Sequence, residues 1–139
     1  MKAGSDIPEA ELEVLAALWR LGSATVREVM EDLGARRRRL AYTTVLTLLT
    51  RLARRGYVRR RREGPADVYR PAIGRDEVAA AQVGSLVERI GGGEAAPLIL
   101  KLVEAHQLSR EDLRRLRQLL DRLEEEAEGD APPARRGKR

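Results

Sequence analysis

Residues 36 to 62 hold 11 arginines and no acidic side chain, the first acid being Glu63. A surface that is merely solvated mixes charges of both signs, so this stretch points to a polyanionic partner. Inside it, Ala41 to Arg55 has an unbroken helical pattern closed by Gly56. At about 100° per residue, with Thr43 placed at zero, Thr47, Thr50, Arg51 and Arg54 all lie within roughly 80° of it. Val45, Leu48, Leu49 and Leu52 gather on the opposite side. One side of this helix is made to be buried, and the other presents hydroxyls, methyls and guanidinium groups outward.

The flanking segments supply what the apolar side packs on. Glu9 to Arg20 reads as a helix with Leu12, Leu15, Leu18 and Trp19 at helical spacing and Gly22 as its stop. Thr25 and Glu28 have capping-box spacing, with Val26, Val29 and Leu33 as the buried stripe of a second helix ending at Gly34. Ala35 to Leu40, containing Arg36, Arg37, Arg38 and Arg39, is a loop. After the third helix, Tyr57 to Arg62 and Val68 to Pro71 pair as a hairpin around Glu63-Gly64-Pro65-Ala66-Asp67. The order helix, helix, basic loop, helix, hairpin is that of a winged helix-turn-helix, with the third helix as reader and the hairpin as wing.

Beyond Gly74 the charge reverses. Residues 1 to 74 carry a net charge of +6, residues 75 to 128 a net −4, and residues 129 to 139 a net +3. Arg75 to Ile90 and Ala95 to Ala105 read as helices, the second with Pro97 in its first turn, where proline is tolerated. Ser109 and Asp112 approximate a cap for a last helix, in which Leu113, Leu116, Leu120 and Leu123 repeat at spacings of three and four, the stripe of a helix packing on another helix. Three short helices with three apolar stripes cannot bury them all alone, so self-association is expected, with Leu86, Leu98 and Leu102 contributing beside those four. The fold class expected is mainly α with a small β-hairpin wing: a winged-helix domain over 1–74, a three-helix dimerisation domain over 75–128, and a disordered basic tail over 129–139.

Composition narrows the function. Aromatic residues make up 3% of the chain and phenylalanine is absent, so the core must be aliphatic, which suits helices. There is no cysteine and one histidine, His106; no thiolate site is available, no metal or cofactor is expected, and no carboxylate pair has acid/base or metal spacing. Catalysis is not expected. The N-terminus lacks the apolar stretch of a signal peptide and no apolar run approaches a membrane span, which points to a cytoplasmic protein that does not enter the membrane. Duplex DNA is the expected ligand, a winged helix used for RNA or protein contact being the alternative.

A set of short motifs in a fixed order carries a family resemblance. They are Glu11-Leu12-Glu13-Val14-Leu15, Leu18-Trp19, Gly22, Thr25-Val26-Arg27-Glu28-Val29, Ala41-Tyr42-Thr43-Thr44-Val45, Thr47-Leu48-Leu49, Arg51-Leu52, Gly56-Tyr57-Val58 and Tyr69. From about residue 7 to 126 the chain resembles the BlaI/MecI penicillinase repressors. The resemblance implies a homodimer that binds a palindromic operator with TACA and TGTA elements and blocks transcription until induced. Thr43, Thr44 and Thr47 suit thymine methyls and base edges, while Arg51, Arg54, Arg60, Arg61 and Arg62, with Arg38 and Arg39 of the loop, suit phosphates. It also implies, as partner, a sensor-protease of the BlaR/MecR type that cuts an Asn-Phe bond; Lys101-Leu102 stand at the matching place. The related copper-responsive branch uses C-terminal cysteines, which this chain does not have.

Overall fold

In the computed structural model the described residues are 3–130. Among them the element order is α1 (Glu9–Leu21), α2 (Val26–Ala35), α3 (Tyr42–Arg54), β1 (Val58–Glu63), β2 (Ala66–Pro71), α4 (Arg75–Arg89), α5 (Ala96–Ala105) and α6 (Arg110–Asp130). This is a winged helix-turn-helix followed by C-terminal helices, as the pattern of the sequence predicts.

Each boundary in the first half has a local cause. The Thr25 hydroxyl accepts from the Glu28 N–H and the Glu28 carboxylate accepts from the Thr25 N–H, completing the capping box that starts α2. Helices α2 and α3 then end in the same motif. The Tyr57 N–H donates to the Leu52 carbonyl and the Gly56 N–H to that of Ala53, with Gly56 at φ 86. At α2 the Arg38 N–H donates to Leu33 and the Arg37 N–H to Gly34, with Arg37 at φ 67. Both are Schellman caps, which require a left-handed residue; glycine supplies it at one and arginine at the other.

The wing is tighter than the sequence suggested. Pairing runs from Val58↔Pro71 to Glu63↔Ala66, leaving only Gly64 and Pro65 in the turn. Gly64, at φ 62, provides the positive φ that a two-residue hairpin needs at its first central position. Ala24 adds a bridge to Tyr69 on the free edge of β2, with the two residues exchanging both backbone hydrogen bonds.

Val14, Leu15 and Leu18 of α1, Val29 and Leu33 of α2, Leu49 and Leu52 of α3, and Tyr69 of β2 make one largely aliphatic core, with Trp19 and Tyr57 packed against it. The compact unit containing it extends to Gly93, beyond Gly74 where the charge changes sign. Val78 and Ala81 on the first turns of α4 are buried, and Gln82 Nε2 donates to the Gly4 carbonyl at 2.7 Å. The Gly4 N–H in turn donates to the Tyr57 hydroxyl at 3.1 Å, and the Trp19 indole N–H to the Ile73 carbonyl at 2.9 Å. The start of α4 therefore shares the winged-helix core.

The second unit, from Glu94, contains α5 and α6. The Ser109 hydroxyl accepts from the Asp112 N–H, capping α6 as expected. That helix runs on through Gly129 and Asp130, two residues into the segment expected to be a tail; the remainder of that tail lies outside the described residues. No helix among the described residues is long and apolar enough to cross a membrane.

Candidate nucleic-acid interface

Helix α3 divides as its periodicity requires. Val45, Leu48, Leu49 and Leu52 are buried, while Thr43, Thr44, Thr47, Arg51 and Arg54 are exposed. Thr50, on the same outward arc, is half-buried and, with Arg54, lines a cleft against β1. Of the loop arginines, Arg39 is exposed, and Arg38 Nε lies 2.9 Å from Glu13 on α1. Arg36 sits near Asp32 at 3.6 Å.

The pleat sorts the wing arginines. Side chains alternate between faces along a strand, and directly opposed residues share a face. Arg60 is opposite Tyr69 and Arg62 opposite Asp67, on the face that also carries buried Val58. Arg61 is opposite Val68 on the other face. The run Arg60-Arg61-Arg62 is therefore split, the outer two flanking α3 and the middle one facing away from it.

Two clefts flank the helix. One, of about 370 Å³, is lined by Thr25 and Arg27 of the α2 start, Tyr42 and Leu46 of α3, and Arg62 and Asp67 of the wing. Arg27 lies over the Tyr42 ring at 6.0 Å from its centroid. The other cleft contains Thr50, Ala53, Arg54 and Arg60. Tyr69 lines both, and its hydroxyl is buried without a hydrogen-bond partner among the described residues. Burial pushes that phenol above its ordinary value of 10.0; Arg60 pulls it down, and burial wins.

The sequence pattern places Arg27 and Tyr42 in family motifs but gives them no binding role, because their shared neighbourhood forms only when α2, α3 and the wing come together. Arg55, counted in the basic cluster, is exposed but already engaged: its guanidinium lies 2.7 Å from Asp6, 3.6 Å from buried Glu11 and over the Tyr57 ring. No group of three His, Cys, Asp or Glu side chains able to hold a metal occurs among the described residues.

The leucines expected at a subunit contact are distributed over three helices. Leu86 on α4, Leu102 on α5, and Leu113, Leu120 and Leu123 on α6 are exposed, whereas Leu98 and Leu116 are half-buried. Ile90, Ile99 and Leu100 are exposed as well. Lys101 and Leu102 are both exposed on α5.

A winged helix with a cationic, hydroxyl-bearing reader matches one family over most of its length: the penicillinase repressor family covers residues 7–122. The chain belongs to the BlaI/MecI penicillinase repressor family. It is 39% identical over 128 residues to the transcriptional regulator BlaI of Mycobacterium tuberculosis, covering 91% of this chain and 90% of that one. To the penicillinase repressor of Bacillus licheniformis it is 31% identical over 121 residues, covering 87% and 94%. A solved structure of the monomeric B. licheniformis BlaI with the blaP half-operator is similar over 55% of this chain and 93% of that one, at 32% identity and a TM-score of 0.46. This penicillinase-repressor-family protein is accordingly a DNA-binding transcriptional repressor, not an enzyme.

Proposed function

We propose that this repressor binds, as a homodimer, an inverted-repeat operator with TACA and TGTA elements, and that α3 reads the bases. The observation that carries this reading is the exposed face of α3, where Thr43, Thr44 and Thr47 are free of any packing duty and are bordered by Arg51 and Arg54. Threonine is a mediocre helix former, so its recurrence on an exposed helix face calls for another use. Its methyl can meet the thymine methyl and its hydroxyl a base edge in the major groove. Arg51, Arg54, Arg60 and Arg62 then hold phosphates on either side, joined by Arg39 and, once released from Glu13, Arg38. Arg27 adds a cation at the start of α2.

Association with a second copy supplies the other half-site. The exposed leucines of α4 in the first unit, and those of α5 and α6 in the second, each offer apolar surface for it to cover, and a closed two-fold pair is the economical way for identical readers to meet a palindrome. Severing Lys101–Leu102 would detach α6 from the reader, which is how a sensor-protease of the BlaR/MecR type would relieve repression.

The test compares two kinds of substitution on the same duplexes. Thr47→Glu should lower affinity for the inverted-repeat duplex far more than for scrambled duplex, since a wrong base-edge contact costs about 1–3 kcal/mol. Arg54→Gln should weaken both by similar factors. Parallel losses for both variants on both duplexes would reduce the α3 face to a phosphate surface and overturn the reading.

A further inference from the structure

The hairpin register opposes two arginines directly: Arg59 on β1 faces Arg70 on β2. Arg61, two residues along, shares their face. All three are exposed. Arg61 has Glu63 at 3.9 Å, but neither Arg59 nor Arg70 is in an ion pair among the described residues. Like charges directly opposite on a two-stranded ribbon lie within about 5.5 Å at Cβ and destabilise it, where a Glu–Arg pair would have stabilised it. Nothing in the hairpin's own folding accounts for arginine at both places. An anion set between the two guanidinium groups turns the repulsion into a shared ion pair, and their planar forks suit the oxygens of a phosphodiester.

We propose that Arg59, Arg61 and Arg70 form a second phosphate-binding face, on the side of the wing turned away from α3, and that it takes the backbone of duplex DNA flanking the base pairs read by α3. The choice of ligand rests on the DNA-reading proposal above. It follows from continuity: Arg60 and Arg62 lie on the other face of the same two strands, beside α3, and the stretch from residue 36 to 62 has no acid to interrupt the positive field. The wing would then sit between two phosphate contacts and lengthen the contacted DNA without adding base readout.

The experiment uses the full chain and two duplexes with the same inverted repeat, one ending at its outer edges and one extended by about ten base pairs on each side, roughly one helical turn. Wild type should bind the extended duplex more tightly. Arg59→Gln with Arg70→Gln should leave binding to the short duplex within about twofold, remove the preference for the long one, and make its log–log salt slope shallower by about 2 units per subunit. The charge-keeping pair Arg59→Lys with Arg70→Lys should retain most of the preference. In the free protein at low salt, the glutamine pair should melt no lower than wild type, because a repulsion has been removed. Equal loss on both duplexes, or no loss on either, overturns this proposal alone. Absence of salt-dependent binding by wild type to either duplex overturns it together with the reading of α3.

Discussion

Arg37 occupies the left-handed position of a Schellman cap that Gly56 fills at the end of the following helix. A side chain there costs roughly 1–2 kcal/mol, so the arginine sits where folding alone would favour glycine. Arg37→Gly should therefore raise stability by about 1 kcal/mol in a denaturant titration while weakening binding to any duplex, because a cation is lost beside Arg38 and Arg39. Tyr69 offers the complementary case of an unpaired group inside. Its hydroxyl is fully buried and without a partner among the described residues, so Tyr69→Phe should hold or raise stability, by up to about 1 kcal/mol. Its phenol is raised above 10.0 by burial. A raised acid contributes stability that is complete below its unfolded value and lost as pH climbs through the folded one. Thermal melts of wild type should thus fall more steeply above about pH 10 than those of Tyr69→Phe.

At the scale of elements, the capping box is the simplest device to test. Thr25→Ala removes the acceptor for the Glu28 N–H and should cost about 1 kcal/mol. The same element shows why much of this fold could be read in advance. Thr25 and Glu28 act across three residues, and the faces of α3 repeat within one helix, so short-range spacing carries the whole signal. What could not be read depends on contacts distant in sequence. Ala24 joins the sheet through Tyr69, the Gly4 carbonyl receives Gln82, and Arg55 pairs with Asp6 and Glu11. No local pattern marks any of these. The wing turn is narrower than propensity predicts: Ala66 and Asp67 are poor strand formers, and pairing with Glu63 and Arg62 overrides that propensity. Alternation along β1 was available in the sequence, yet which face of Arg59 to Arg62 meets α3 is set by the burial of Val58 and Tyr69.

For the whole molecule, the charge reversal at Gly74 marks a change of chemistry, while packing of Val78 and Ala81 carries the compact unit to Gly93. A cut after Gly93 is therefore the truncation that respects the core. It should leave a folded monomer by sedimentation, with operator affinity reduced by two or more powers of ten, because in the proposed dimer tethering would hold a second reader at an effective concentration approaching millimolar. Leu120→Glu, on the exposed stripe of α6, should shift the same equilibrium less. In the function proposed for this repressor, the cationic face around α3, doubled by association, is the DNA reader. Titration of the full chain against an inverted TACA/TGTA duplex and its scrambled counterpart, over a series of salt concentrations, tests it most directly. With Arg51, Arg54, Arg60 and Arg62 of each subunit of the proposed dimer neutralising about 8 phosphates, the log–log slope should be near −7 or steeper, and the inverted repeat should be preferred by about a thousandfold or more. A slope shallower than about −3, or equal affinity for the two duplexes, would contradict it.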